Sequence, residues 1–151
     1  AESGAWRDYY LSAAKELREG PPPAFPNIAS AAYLGAVPTE ALFDALAVRY
    51  APERVNAPGT VIQFGFPDRR ETMSVELRES VMIPRLGREA ESPAATLVID
   101  RADFDRLVAR EAEIGTLMQQ GAMRIEGDPA ALLAMFGALD QRSGQIAVVT
   151  P

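Results

Sequence analysis

The stretch GAMRIEGDPAALLAMF at residues 121–136 has the residue types of an anion-binding turn. Gly121 and Gly127 suggest a Walker loop, although five residues rather than four separate them, and the free amides of a helix N-terminus can bind a phosphate or a sulfate. Asp128, however, stands where that loop requires a lysine, and an N-cap carboxylate occupies those amides itself. We therefore interpret the stretch as a structural turn, in which Gly121 ends one helix and Gly127 joins a strand to the next.

Other residues that could support chemistry are equally poor candidates. Asp100, Asp103 and Asp105 in DRADFD suggest calcium, but the central glycine and distal glutamate of a calcium loop are missing. We expect Asp100 and Asp103 to cap a helix instead. The chain has no histidine and no cysteine, which excludes serine–histidine triads, cysteine nucleophiles, zinc sites built on these residues, and disulfides. We predict that this chain alone is not an enzyme and needs no metal or cofactor.

The composition indicates one domain with an ordinary core. The chain has 151 residues, 48% of them hydrophobic, and a net charge of −6. The acidic balance argues against nucleic acid as a partner. Without cysteine, the sequence leaves the cellular compartment undetermined.

The N-terminal residues predict an amphipathic helix that is separate from the main domain. In residues 5–19, Trp6, Tyr9 and Tyr10 fall on one helical face, and the proline-rich stretch GPPPAFP follows. The aromatic face must pack either on the main domain or on a missing partner. The predicted organisation is a helix at 1–20, a linker at 21–36 and a domain at 37–151.

The hydrophobic period predicts an α+β domain with five strands. A helix from about residue 39, with Thr39 as N-cap, is followed by three strands in an antiparallel meander. Pro84 indicates that the third strand is an edge strand or carries a bulge. A fourth strand, two helices, a fifth strand and a helix at 129–139 complete the domain. The apolar end QIAVVTP is expected to pack back onto it. The strands are TVIQFGF, TMSVELR, SVMIPRL, AATLVID and AMRIEG.

Methionine and phenylalanine dominate the predicted inward faces. For any single residue the simpler interpretation is core packing. Methionine is also common at surfaces that accept varied apolar ligands, so the set together suggests an apolar cavity. The residues in question are Met73, Met82, Met118, Met123, Met135, Phe64, Phe104 and Phe136.

Three stretches resemble the C-terminal domain of bacterial alkylsulfatases: ALFDALAVRYAPE, GTVIQFGFPDRRE and GAMRIEGDPAALLAMFGALDQ. The N-terminal WRDYYLSAAKELREG is similar to the segment that leads into this domain from the helical dimerisation region of those enzymes. The resemblance implies a sterol-carrier-protein type of fold, with a five-stranded mixed sheet covered by helices around an apolar tunnel. It also implies that a two-zinc catalytic domain of the metallo-β-lactamase type lies elsewhere, so no catalytic residue carries over. The chain would then be a fragment, or a lone lipid-binding relative.

We therefore expect a non-catalytic domain that binds or guides the alkyl chain of a sulfate ester. The expected partners are an apolar or amphipathic small molecule, the catalytic domain of the same enzyme, and a second copy bound through Trp6, Tyr9 and Tyr10. The alternatives are an assembly module without a ligand and a stand-alone lipid or sterol carrier. The residues predicted to line the cavity are Phe43, Leu46, Phe64, Phe104, Met118, Met123, Leu132, Met135 and Phe136.

Overall fold

The computed structural model of the chain describes residues 3–20, 30–55 and 59–139. In these ranges the backbone forms five strands, a 3-10 turn at Pro52–Arg54 and six α-helices. The strands are β1 Thr60–Phe66, β2 Glu71–Leu77, β3 Met82–Leu86, β4 Ala95–Ile99 and β5 Met123–Gly127. The helices are α1 Gly4–Glu19, α2 Ala31–Gly35, α3 Thr39–Val48, α4 Arg101–Val108, α5 Ile114–Gln119 and α6 Pro129–Gly137. No helix in the described ranges is both long and apolar enough to cross a membrane.

The five strands form one mixed sheet in the order β3-β2-β1-β4-β5. β1 pairs antiparallel with β2 and parallel with β4, while β2–β3 and β4–β5 are antiparallel. The predicted meander and the α+β class are therefore confirmed. β3 is an edge strand, as Pro84 predicts, because a proline cannot donate a hydrogen bond to a further strand.

One face of the sheet carries the hydrophobic core. Ile62, Phe64 and Phe66 alternate along β1 and are almost completely buried, as the period of two requires. From the helices, Phe43 and Phe104 stack with ring centroids 5.4 Å apart, and Phe43 meets Phe64 edge-on at 5.0 Å. These aromatic contacts fix α3 and α4 against the centre of the sheet.

The opposite face of β1 is covered by the segment that follows β3. Gln63 is buried there, and its Nε2 donates to Met73 O at 3.0 Å and to Arg88 O at 3.3 Å. Its Oε1 accepts from Ala90 N at 2.9 Å. The amide thus satisfies its hydrogen bonds without water and holds this segment against the sheet.

Helix α2 lies inside the segment 21–36 that the proline-rich composition predicts to be a linker. Ser30 caps it, with Oγ accepting from Tyr33 N at 3.3 Å, and Leu34 is buried in the core. The predicted linker is therefore too long at its C-terminal end. Residues 21–29, which include the prolines, lie outside the described residues, as does the predicted packing of QIAVVTP.

The chain divides into two compact units: one contains α1, and the other, the α+β unit, contains the sheet and α2 to α6. Ser3 begins the helix by accepting from Trp6 N, and Gly20 ends it with a positive φ of 82°. Trp6, Tyr9 and Tyr10 are 62%, 53% and 65% exposed. The amphipathic pattern therefore predicts the helix correctly, and its aromatic face lies open.

Candidate functional site

The turn at residues 121–128 binds its own helix rather than an anion. Asp128 Oδ1 accepts from Ala130 N at 2.9 Å, so the N-cap carboxylate occupies an amide that a phosphate or a sulfate would need. Gly121 and Gly127 both have a positive φ, of 69° and 85°. The interpretation of this stretch as a structural turn is confirmed.

The three aspartates at 100–105 do not converge. Asp103 pairs with Arg106 at 2.9 Å, and Asp105 is buried within the α+β unit. Asp100 is the N-cap residue of α4, as predicted, but its side chain makes no capping hydrogen bond. Asp68 replaces it, accepting from the Arg101 amide at 2.9 Å. Among the described residues, no group of three acidic, histidine or cysteine side chains could hold a metal ion.

A buried arginine that no sequence motif marks organises this region. Arg101 at the start of α4 is fully buried, and its Nε donates to Asp105 Oδ1 at 2.8 Å. Its terminal nitrogens donate to three oxygens in and after α2: Leu34 O at 3.1 Å, Val37 O at 3.2 Å and Thr39 Oγ1 at 2.7 Å. The guanidinium therefore ties α4 to α2 and α3.

The prediction that Thr39 caps α3 is wrong, because Pro38 occupies the N-cap position. Thr39 is buried instead. Its hydroxyl accepts from Arg101 and donates to Glu71 on β2. Through this hydroxyl the arginine is also linked to the sheet.

The Asp105 carboxyl lies in a poorly solvated position. Among the buried side-chain atoms that the structure describes, its Oδ2 has no hydrogen-bond partner. Burial raises the pKa of Asp105 above its ordinary value, and this effect exceeds the lowering by the Arg101 guanidinium. Neither residue lines the cavity described next, so we assign the pair to the stability of the fold.

An apolar cavity of about 240 Å³ lies between the ends of α3 and α4, the segment after α4, and α6. Nine residues of the described ranges line it, seven of them apolar and two arginines: Leu46, Arg49, Leu107, Val108, Arg110, Ala112, Ile114, Phe136 and Leu139. Typical ligand sites measure about 300–1,000 Å³. This cavity can therefore enclose a short apolar group or part of a longer tail.

The structure divides the nine predicted lining residues among several places. Leu46 and Phe136 line the cavity, and Met123 lines a second, open depression of about 320 Å³ beside Asp100 and Asp103. Five others are fully or almost fully buried in the packed core: Phe43, Phe64, Phe104, Leu132 and Met135. A side chain in close contact on all sides leaves no room for a ligand beside it.

Met118 does not face inward as predicted. It is 49% exposed on α5, and its neighbour Leu117 is the buried residue of that helix. A six-residue helix has too few apolar positions to define which face is buried. The inward orientation predicted for Met118 is therefore wrong.

The apolar side chains and the two guanidinium groups can bind a ligand, but none of them could cleave a bond. None of the nine lining residues can act as a nucleophile or as a general base near neutral pH. The chemistry available here is burial of hydrocarbon, together with attraction of negative charge.

Comparison with known proteins gives consistent matches over the whole chain. A family model described as alkyl sulfatase C-terminal matches residues 27–151. An (R)-specific secondary-alkylsulfatase of Pseudomonas sp. is 27% identical over 150 residues, which cover 99% of this chain and 22% of that protein. The solved structure of a stereoselective inverting sec-alkylsulfatase from Pseudomonas sp. has a TM-score of 0.75 at 27% identity and covers 98% of this chain and 23% of its own. The chain therefore spans less than a quarter of these relatives.

A more distant neighbour bears on the fold alone. Sterol carrier protein 2 from Yarrowia lipolytica, in its apo form, has a TM-score of 0.50 at 16% identity, covering 66% of this chain and 91% of its own. Together with the five-stranded mixed sheet and its helices, this likeness confirms the predicted sterol-carrier type of fold.

Proposed function

The chain belongs to the family of alkylsulfatase C-terminal domains, and from this premise we propose that its cavity binds the apolar alkyl tail of a sulfate ester. The observation that carries the proposal is the lining itself, because seven of nine residues offer only hydrocarbon. Cleavage of the ester would fall to the part of an alkylsulfatase that lies outside this chain.

The sequence supports this division of labour. The chain has no histidine or cysteine from which a hydrolytic zinc site could be built. Its relatives are named as alkylsulfatases, and more than three quarters of their length has no counterpart here. The chain would supply affinity for the tail, and the remainder would supply the chemistry.

The expected affinity is modest. Removing one methylene from water contributes about 0.8 kcal/mol, so ten to twelve carbons contribute about 8–10 kcal/mol. Loss of translational and rotational freedom offsets at least about 4 kcal/mol of this. We therefore expect dissociation constants of about 0.1–1 mM for a tail whose ten to twelve carbons are all buried, and weaker binding for a tail that stays partly outside the cavity.

The first prediction concerns tail length. Dissociation constants for hexyl, octyl and decyl sulfate, measured below micelle formation by NMR titration of the 151-residue chain, should fall roughly tenfold per two carbons. The gain should stop once the tail outgrows the cavity. Amide shifts should move first at Leu46, Ile114 and Phe136, which line it.

A matched pair of variants checks the location. Ala112 lines the cavity and Ala102 is exposed on α4. Ala112→Phe should fill the space and weaken decyl sulfate binding at least about tenfold, whereas Ala102→Phe should leave it unchanged. Affinity that is independent of tail length, or equal in both variants, would contradict the proposal.

A second candidate function, assembly of two copies, is favoured by the exposed aromatic face of α1. The Trp6 and Tyr10 rings stack at 6.0 Å, and Tyr9 meets both rings edge-on at 6.4 and 6.2 Å. All three side chains are more than half exposed. Clusters of exposed aromatic residues are typical of protein–protein interfaces, and we propose the α1 helix of a second copy as the partner.

The second prediction tests this assembly. Substituting Trp6, Tyr9 and Tyr10 together by glutamine should convert a dimer to a monomer in sedimentation velocity at micromolar concentration, with helical circular dichroism retained. Tyr33→Gln is the control, because Tyr33 is equally exposed, at 63%, but lies on α2. A parent chain that already sediments as a monomer would refute assembly through α1 and leave the tail site untouched.

A further inference from the structure

The two arginines give the cavity a charge that tail binding does not require. Arg49 follows the last residue of α3, and Arg110 lies two residues beyond the end of α4. Among the residues that the structure describes, no acidic one lines the cavity, although the chain carries 21 acidic residues against 15 basic ones. The local sign is therefore opposite to that of the whole chain.

Compensation of helix dipoles accounts for only part of this charge. The C-terminal end of a helix carries about half a negative charge, and basic residues are common there for that reason. Three such ends, those of α3, α4 and α6, lie at the cavity and contribute about 1.5 negative charges, whereas the two guanidiniums contribute two positive charges. The helix ends therefore balance most of the charge of these two arginines but not all of it.

The backbone conformation at Arg110 is unusual for an arginine. Its φ is 61°, a conformation that favours glycine after a helix, and its amide donates to Leu107 O at 3.1 Å. The only other described residue besides glycine with a positive φ is Arg70, in the turn between β1 and β2. Position 110 thus carries an arginine, as position 70 does, although its backbone conformation favours glycine.

The acidic residue next to Arg110 binds the start of α2. Glu111 Oε1 accepts from Ala31 N at 2.9 Å, at the start of α2. In the part of the chain that the structure describes, the exposed Arg110 guanidinium forms no ion pair, so it is available at the cavity. Arg49 has a further interaction within the chain, which leaves Arg110 as the cavity's candidate for binding a charged group.

From these observations, and resting on the proposed tail site, we infer that the cavity binds a whole anionic single-chain amphiphile, with Arg110 at the head group. The tail contacts Leu46, Leu107 and Phe136, and the guanidinium donates to anionic oxygens of a sulfate or a carboxylate. An ester held by its head at Arg110 is not in a catalytic centre. The site would therefore collect the amphiphile before cleavage, or retain a carboxylate of similar length.

The test compares ligands that differ only at the head. Octyl sulfate, octanoate, 1-octanol and octyltrimethylammonium are titrated into the 151-residue chain by NMR, below micelle formation. Either anion should bind about three- to tenfold more tightly than octanol, as expected for one partly exposed charge-assisted contact. The cation should bind more weakly than octanol. Higher salt should reduce the advantage of the anions. Whichever anion binds more tightly identifies the head group that the site prefers.

Two glycine variants locate the effect. Arg110→Gly should abolish the advantage of the anions over octanol. Arg70→Gly is the same substitution at a position that does not line the cavity, so the preference for anions should be unchanged. Both substitutions place glycine where φ is already positive, so folding should be retained, and a thermal melt verifies it.

The possible failures are distinguishable. If all four octyl ligands bind equally, the head-group site is refuted and the tail site stands. If the Arg110→Gly variant keeps the preference for anions, the assignment to Arg110 is wrong. If hexyl, octyl and decyl compounds all fail to bind, the proposed function itself fails.

Discussion

Replacing Arg101 by methionine should lower the free energy of unfolding by about 3–5 kcal/mol, the usual cost of breaking a buried ion pair by removing one partner. The substitution removes every donor that Arg101 offers to Asp105, Thr39 and the carbonyls of Leu34 and Val37. The Asp105 carboxylate would then be buried without a counter-ion. Urea denaturation followed by circular dichroism measures the change.

A matched control lies on the same helix. Arg106 pairs with Asp103 at 2.9 Å, but the arginine side chain is 47% exposed. Arg106→Met should therefore cost at most about 1 kcal/mol, as surface ion pairs do. Equal losses in the two variants would contradict the view that burial makes Arg101 important.

A double variant separates the unpaired charge from the other contacts. Arg101→Met combined with Asp105→Leu removes both charges, and such replacements are often close to neutral. The carbonyls of Leu34 and Val37 still lose their donor, so recovery should be partial. If the double variant is no more stable than Arg101→Met, the loss in free energy of unfolding comes from those carbonyls and not from the unpaired carboxylate.

The loss of stability caused by Arg101→Met should also depend on pH. Burial raises the pKa of Asp105, so the stability that this group contributes is fully present below its ordinary, unfolded value and is lost as pH rises through the folded value. Removal of Arg101, which lowers that pKa, should raise it further. As pH falls, Asp105 in the folded variant therefore takes up its proton at a higher pH than in the parent chain. The difference in stability between them should be smaller at about pH 5 than at neutral pH.

The strands, and the antiparallel pairing of the first three, could be predicted because the relevant signals are local. The alternation in residues 60–66 defines β1 with its observed bounds, and short turns force neighbouring strands to pair antiparallel. Pro84 marks the edge because its effect depends only on its own missing amide. The family was also recognisable, since its matches are dispersed along the chain.

The candidate site could be predicted only in part because it depends on three-dimensional packing. Hydrophobic pattern shows that Phe43 and Phe104 face inward, but not that their rings stack and leave no space. The cavity lies instead where the ends of two helices converge. Arg49 and Arg110 are recognisable in the sequence as residues after helices, yet nothing local indicates that the two ends meet.

The buried arginine could not be predicted for a similar reason. Position 101 directly follows a cap residue, where a charged side chain is normally solvated. Its partners come from residues 62 to 67 positions away in the chain, apart from Asp105. Only the contacts in the folded chain show that Arg101 occupies a fully buried position.

Replacing Gly127 by alanine should have the second large effect, which brings the turn at residues 121–128 to an experimental test. A Cβ at this position would lie 2.5 Å from Ala94 O, and φ is 85°. That carbonyl also accepts from Asp128 N at 2.8 Å, at the start of α6. The alanine would therefore push β4 away from β5 and disturb the beginning of α6. We expect a loss of about 2–5 kcal/mol, from a left-handed conformation that costs about 1–2 and overpacking that costs about 1–3.

Gly121 provides the control, because it has a similar φ of 69° but a Cβ added there would meet no atom within 4 Å beyond its own chain neighbours. Gly121→Ala should cost only the left-handed conformation, about 1–2 kcal/mol. Since Phe136 on α6 lines the cavity, Gly127→Ala should also weaken decyl sulfate binding, whereas Gly121→Ala should not. Equal losses of stability would mean that the contact with Ala94 relaxes freely. The glycine would then serve the turn only through its φ, and the position of α6 over the cavity would depend on the apolar face of the helix alone.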